Sequence, residues 1–362
     1  MSSVASSTAA GPPPGMRVRL SSNESPYGVS PAALAAAQLV TSALHLYPDD
    51  QSVALRQALA KLEGTDMASV SIGTGSSGIL MDLVASECHD GQGSVLAYDR
   101  AFIVYRLAAR NAGVAYVEAP TAGPATQESS GYARDPQALL DAIDDTTRIV
   151  IVDNPGNPTG AHLDADGLRA VVAGVPEHVV LLIDEAYWQY GAGHAGYTRV
   201  RDLDVTHPRL IVTSTFSKAH ALAGLRIGYV TGAAEVVQAI DGWRPRFNAN
   251  AIGQAAAVAS LADTDHMAAT VRETVEQRRR TADGLRALGI PFTDGLGNFL
   301  TFELGTEAGP VVEAFASRGV GIRPLQPYGM TQQIRVSIGL ATDTDDFLTA
   351  AADVLADVPA RG

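Results

Sequence analysis

Ile149-Val150-Ile151-Val152-Asp153-Asn154-Pro155-Gly156-Asn157-Pro158-Thr159-Gly160 is the stretch from which the rest of the chain is read. Four consecutive β-branched residues, apolar at every position, describe a strand covered on both faces rather than one with a wet side. The run ends at an acid and passes into a loop dense in Asn, Pro and Gly, residues that set turns and continue neither helix nor strand. The same pattern recurs at Val70-Ile72, Val95-Tyr98, Ala115-Val117, Val179-Ile183, Leu210-Val212 and Arg226-Val230, with helical stretches between. Strands covered on both sides and alternating with helices predict an α/β domain around a mostly parallel central sheet.

Outward from that core the boundaries follow. Upstream, Ser30-Pro31 starts a helix with Ser as cap and Pro at the first helical position. Asp50 is the expected cap of a second helix that stops at Gly64. Downstream of Asn250 the pattern changes. Met267, Val271, Val275, Ala282, Leu285 and Leu288 fall at helical spacing until Gly289 and Pro291. Strand-like pieces then lie at Phe299-Phe302, Gly321-Arg323 and Ile334-Ile338, with a last helix over about 345–357. The expected organisation is a flexible leader over residues 1–16, a large α/β domain with an N-terminal arm over 17–254, and a small α+β domain over 255–362.

Composition narrows the function. Against 39 Asp and Glu stand 26 Lys and Arg, a formal net charge of −13 in 362 residues. So acidic a surface argues against nucleic-acid or anionic-membrane partners, which need clustered positive charge. No segment reaches the ~18 apolar residues that span a bilayer. A single cysteine, Cys88, excludes an internal disulfide framework and a Cys-rich zinc site and fits a reducing, cytoplasmic setting.

In an open α/β sheet ligands bind beyond the carboxyl ends of the strands. Four such ends carry unusual polar residues: Gly73-Thr74-Gly75-Ser76-Ser77-Gly78, Asp153 to Gly160, Asp184-Glu185-Ala186-Tyr187, and Thr213-Ser214-Thr215-Phe216-Ser217-Lys218. The glycine loop has three readings. It is a plain strand-to-helix turn, or a phosphate cup at a helix N-terminus, or, with Asp99 after the next strand, a dinucleotide fingerprint. Lys218 is a surface lysine or a desolvated amine nucleophile. Asp184 caps a loop or pairs with a protonated ring nitrogen. Asn157 is a turn former or an amide donor. Together the four ends supply phosphate donors, a carboxylate, an amide and an amine, the set that pyridoxal phosphate requires.

Seven motifs in order extend that reading. Asn23-Glu24-Ser25-Pro26-Tyr27-Gly28, Tyr47-Pro48-Asp49, Asn154 to Gly160, Asp184 to Tyr187, Ser217 to Tyr229, Asn298-Phe299 and Ile334 to Gly339 span most of the chain. In them the sequence resembles the fold-type-I pyridoxal-phosphate aminotransferases, specifically the histidinol-phosphate aminotransferase branch. The resemblance implies a large domain with a mostly parallel sheet and a small α+β domain. It implies Lys218 as the Schiff-base lysine and proton carrier, with Asp184 on the ring nitrogen. It further implies Asn157 and Tyr187 on the phenolic oxygen and Phe102 stacked on the ring. Gly75, Ser76, Ser77, Thr215, Ser217 and Arg226 would hold the phosphate, and Tyr47 would reach it from the other subunit of a homodimer. Arg335 would clamp a substrate anion, with Arg323, Tyr27 and Asn23 as further substrate contacts.

The implied reaction is amino transfer between an amino acid, or a histidinol-phosphate-like amine, and a 2-oxo acid by a ping-pong scheme. Decarboxylation, elimination or oxidation on the same fold, a nicotinamide-dependent dehydrogenase built on Gly73 to Gly78, and a non-enzymatic regulator are the competing readings. Several positions depart from the branch pattern, among them Trp188, the stretch Trp243-Arg244-Pro245-Arg246-Phe247 and a leader without the branch's P-Y-x-P-G. Gly156 stands where Asn is usual and is expected to affect only the turn. Ser25 replaces an Asn, and His220 and Ala221 replace an aromatic residue and Gly beside Lys218. His220 reads as a packed histidine or a substrate contact, and Arg246 as a solvated side chain or a contact to an acidic substrate.

Overall fold

The computed structural model describes residues 16–356. The leader expected over 1–16 therefore lies, except for Met16, outside the described residues. In chain order, β1 (Val18–Arg19) precedes two helices, α1 (Pro31–Val40) and α2 (Val53–Glu63). β2 (Val70–Thr74) runs into α3 (Gly75–Glu87), β3 (Ser94–Tyr98) into α4 (Val104–Ala112), and β4 (Ala115–Ala119) through a long loop into α5 (Pro136–Asp141). Next come β5 (Thr147–Asp153), α6 (Ala165–Gly174), β6 (Val180–Asp184) and the single turn α7 (Trp188–Gly191). β7 (Leu210–Thr215), β8 (Ile227–Gly232), α8 (Ala234–Trp243), α9 (Ala251–Ala262) and the long α10 (Thr264–Ala287) follow. The C-terminal part holds β9 (Phe292–Thr293), β10 (Phe299–Glu303), α11 (Ala308–Ser317), β11 (Val320–Gly321), β12 (Arg323–Leu325), β13 (Met330–Ser337) and α12 (Ala341–Leu355).

The central sheet has seven strands in the order β2-β8-β7-β6-β5-β3-β4. Only β8 runs against the others, because it returns from β7 through a loop and has no crossover helix. The strand that opened the reading is covered on both faces, as its composition requires. Ile149 and Ile151 pack with Ile79, Leu83 and Ile240 on one side, and Val150 and Val152 with Leu168 and Val171 on the other. The C-terminal sheet is antiparallel, order β12-β13-β10-β9, and buries its inner face under α10, α11 and α12.

Local expectations mostly hold, with instructive exceptions. Ser30 Oγ accepts from Ala33 N at 3.1 Å, and Gly64 ends α2 at φ +63. Asp49, not Asp50, ties down the start of α2, accepting from Gln51 N and Val53 N through its two oxygens. Asp50 instead accepts from Phe247 N and pairs with Arg244 and Arg246. The expected strand at Gly321-Arg323 is two strands: β11 pairs with β1, while β12 joins the antiparallel sheet. The expected division at 254/255 falls inside α9, whose Ala256 and Ala257 pack with Leu55 and Phe216. Val18 and Leu20 of the arm pack into the core of the C-terminal sheet.

The dinucleotide reading of the glycine loop is corrected here. Such a site needs β2 and β3 side by side as a parallel βαβ unit, but four strands lie between them. The Asp99 carboxylate is already engaged by Thr121 and Arg100. Among the described residues no helix is long and apolar enough to cross a membrane.

Candidate active site

The carboxyl ends of β5, β6 and β7, the start of β8 and the first turn of α3 converge on one cleft of about 410 Å³. Its opposite wall comes from the C-terminal part of the chain, through Arg323, Tyr328 and Arg335. Because β8 is reversed, its first residues lie beside the end of β7, which brings Arg226 to Thr215 and Ser217. Arg226 Nη1 donates to Ser217 Oγ at 3.3 Å, and Ser217 N donates to Thr215 Oγ1 at 3.1 Å. The Arg226 carbonyl accepts from Gly75 N at 3.0 Å, joining this corner to α3. Gly75 has φ +69, and a Cβ there would stand 2.6 Å from Arg226 Nη2. Ser76 and Ser77 follow it in the first helical turn, where unpaired N–H groups and the helix dipole favour an anion.

Asp184 ends β6 and is almost wholly buried. Its Oδ2 accepts from Tyr105 at 2.8 Å and its Oδ1 from Ala186 N at 3.1 Å. Burial pushes its carboxyl up to about 7; the Tyr105 hydroxyl works against that rise and Asp153 adds to it. Lys218 Nζ donates to the Asn23 carbonyl at 3.0 Å and lies 5.5 Å from the centre of the Tyr187 ring. Burial, then the positive charges of Arg335 and Arg226, lower its ammonium to about 7. A large part of the lysine population is thus neutral amine at neutral pH, as a nucleophile or general base must be. Asn157 Oδ1 accepts from Arg335 Nη1, and Arg335 also donates to the Ser21 carbonyl. Among the described residues Arg226, Arg323 and Arg335 form no ion pair with any carboxylate. An acidic chain thus places three guanidiniums in a cleft that also holds Asp153 and Asp184.

Comparison with known proteins agrees with this geometry. Residues 16–355 match the family described as aminotransferase class I and II. The chain belongs to the class I and II aminotransferase family. It is 38% identical over 340 residues to histidinol-phosphate aminotransferase 2 of Methylococcus capsulatus, covering 93% of this chain and 90% of the relative. To histidinol-phosphate aminotransferase 2 of Pseudomonas aeruginosa it is 39% identical, covering 95% and 90%. The solved histidinol-phosphate aminotransferase of Sinorhizobium meliloti, in complex with pyridoxal-5'-phosphate, superposes with a TM-score of 0.84. It shares 27% identity, with 95% and 92% of the two chains covered. The Thermus thermophilus aspartate aminotransferase shares the fold at TM-score 0.80.

The protein is therefore a pyridoxal-phosphate-dependent aminotransferase of fold type I. Its cleft fits that cofactor: an anion cup of hydroxyls, N–H groups and one guanidinium, a buried carboxylate, and a primary amine that starts partly neutral. Nothing in the family or fold favours the decarboxylase, eliminase, oxidase or regulator readings.

Most residues singled out in the sequence of this aminotransferase line the cleft: Ser76, Ser77, Phe102, Asn157, Asp184, Tyr187, Thr215, Ser217, Lys218, Arg226, Arg323, Arg335 and Asn23. The Asn23 side chain accepts from Ser337 Oγ at 2.9 Å and donates to Tyr187 at 3.2 Å, which ties it to two neighbours in the cleft wall. Tyr27 is not among the residues that line the cleft. Burial, Glu273 of α10 and Asp343 of α12 raise its hydroxyl. Tyr47 is 82% exposed and stacks on Phe247 at 4.6 Å, outside the cleft of its own chain. His220 is a packed histidine: it is buried, bonded to Ser260 Oγ at 2.8 Å, and held by burial at about 4. Arg246 is a surface side chain paired with Asp50. The sequence reading assigned no role to Tyr105, Tyr328 or Asp153, which line the cleft. Tyr105 sits in the same short segment as Phe102, and its hydroxyl in α4 gained meaning only when β6 brought Asp184 to it.

Proposed function

We propose that this aminotransferase moves the amino group of histidinol phosphate, or of a closely similar amino-alcohol phosphate, to a 2-oxo acid. The exchange is ping-pong, both half-reactions using one site. The observation that carries the reading is the pair Arg323 and Arg335 on the cleft wall, with no acidic partner among the described residues. With Arg226 given to the cofactor's phosphate, this pair is left for a substrate anion. A guanidinium fork suits a phosphate on the donor and a carboxylate on the acceptor in turn. The names of the two bacterial relatives support the choice of donor.

When bound, pyridoxal phosphate supplies an electron sink for the charge left as the donor's Cα proton is removed. The chain's residues do the rest. Ser76, Ser77, Thr215, Ser217 and Arg226 hold the phosphate, and Gly75 leaves the room they need. Asp184 holds a proton on the ring nitrogen, its own carboxylate kept in place by Tyr105. Asn157 has its amide N–H₂ free, because its oxygen is engaged by Arg335. Tyr187 already accepts from Asn23, so its hydroxyl proton is free to be donated. Both would therefore donate to the phenolic oxygen, and Phe102, which also lines the cleft, would pack against the ring. Lys218 Nζ would hold the cofactor at rest and, once the donor's amino group has taken its place there, would be the free amine that takes the proton from the donor's Cα.

A homodimer completes the site in this reading. Leu39, Leu44, Leu46, Tyr47 and Trp243 expose large apolar side chains around α1, the turn after it and the end of α8, the signature of a contact surface. Tyr47 would reach the phosphate of the neighbouring subunit. We place the enzyme in the cytoplasm, in keeping with its one unpaired thiol.

The test is a single-turnover titration of the cofactor-loaded protein with histidinol phosphate, histidinol and histidine, followed by visible absorbance. Histidinol phosphate should discharge the band at far lower concentration than histidinol. Equal responses to both would remove the phosphate from the proposal and leave a different amino donor to be found.

A further inference from the structure

Gly156 does more than shape a turn. Its φ is not among the positive ones, so the backbone does not call for glycine there. Space does: a Cβ at 156 would stand 2.1 Å from Arg134 Nη2 and 2.8 Å from Arg134 Cζ. The guanidinium that fills this gap is buried. Its Nη2 donates to Asp153 Oδ1 at 2.5 Å, its Nη1 donates to the main-chain carbonyl of Asp153, and its Cζ lies 5.1 Å from the centre of the Tyr98 ring. One side chain thus grips both the carboxylate and the backbone at the end of β5. The second oxygen of Asp153 accepts from Asn157 N at 3.0 Å. Asp153 also stands level with Asp184 in the parallel register of β5 and β6, and Asn154 N donates to the Asp184 carbonyl at 2.8 Å.

We propose that Arg134 is a positioning residue of the active site, acting through Asp153 on Asn157 and Asp184, and that Gly156 is the vacancy that admits it. The proposal rests on the pyridoxal-phosphate reading of the cleft. Two carboxylates at adjacent strand ends in a buried site cannot both stay ionised without a cation. Arg134 provides that cation: it pairs with Asp153, which lines the cleft, and is not itself among the lining residues. Paired with it, Asp153 holds the Asn157 main chain, and Asp184 remains available to a ring nitrogen. The other groups acting on Asp184 are the Tyr105 hydroxyl from α4, the Ala186 N–H, and Glu185 next to it in the chain, and Glu185 is itself paired with Arg199. Without Arg134, Asp153 is left as a buried carboxylate with no paired cation beside Asp184, and the loop that aims Asn157 loses its anchor.

The experiment compares wild type, Arg134→Leu, Arg134→Leu/Asp153→Asn and Gly156→Ala. It measures pyridoxal-phosphate affinity by titration of apoprotein and the pH midpoint of the visible absorbance of loaded protein. Arg134→Leu should weaken cofactor binding by roughly tenfold or more, the size of coupling expected across a buried network. It should also raise the absorbance midpoint, because a donor to the phenolic oxygen is misplaced and a nearby positive charge is gone. The double variant should recover part of the affinity, since no uncompensated carboxylate remains. Gly156→Ala, with its arginine expelled, should move both readings in the same direction as Arg134→Leu. It also keeps the test open if Arg134→Leu does not fold. Variants that keep both readings at wild-type values overturn the assignment alone. A wild-type protein that binds no pyridoxal phosphate overturns the cofactor reading, and this assignment with it.

Discussion

Lys218 shows what a tertiary environment does to one residue. In sequence it is an ordinary lysine after a strand. In the fold it sits in a cleft with Arg335 and Arg226, and its ammonium falls from 10.5 to about 7. The shift has a consequence for stability. Between pH 7 and 10.5 the unfolded chain keeps a proton on this lysine that the folded apoprotein has released, so stability rises with pH across that window. Lys218→Met should therefore stabilise the apoprotein most at and below pH 7, and the gain should shrink towards pH 10. Chemical denaturation of both apoproteins at several pH values checks this, and a constant difference would contradict it. Multiple-turnover amino transfer by the same variant should fall by at least about 10²-fold, the usual worth of a general base. Asp184, Asn157 and Arg226 were legible in the same way as Lys218, because strand ends and motif spacing mark them. Tyr105 and Arg134 were not: an isolated tyrosine in a helix and an arginine in a loop carry no local signal.

Among the elements, α3 concentrates the site and α1 does not touch it. At the head of α3, Gly75 combines φ +69 with a built Cβ 2.6 Å from Arg226 Nη2. Gly75→Ala should weaken pyridoxal-phosphate binding by on the order of tenfold, through backbone strain and a displaced guanidinium. Ser30→Ala removes the cap of α1 and should cost about 1 kcal/mol of stability while leaving cofactor affinity unchanged. Titration and denaturant unfolding of the two variants separate these effects, and a loss of affinity in Ser30→Ala would contradict the division. Strand positions were readable because a doubly covered strand has no polar alternation to blur it. The Asp49 and Asp50 exchange was not readable: two adjacent acids compete for one helix start, and Asp50 is claimed by Arg244, Arg246 and Phe247, far along the chain.

For the whole molecule, the apolar surface around Tyr47 and Leu39 is the feature one chain does not account for. The aminotransferase should sediment as a dimer. Leu39→Glu should shift it towards monomer and lower cofactor retention, and Tyr47→Phe should lower retention without dissociating it. Sedimentation velocity with bound-cofactor quantification checks all three, and a stable, fully active monomer would contradict the shared site. The sequence by itself determined the alternation of helix and strand, the covered sheet, the strand ends that carry chemistry and the family those motifs resemble. These are local properties, written in periodicity and in runs of a few residues. Tertiary structure alone decided the strand order that removes the dinucleotide reading, the reversed β8 that brings Arg226 to Thr215, the depressed ammonium of Lys218 and the arginine seated over Gly156. Each of these depends on which distant residues share a buried, low-dielectric space, and neither spacing nor composition records that.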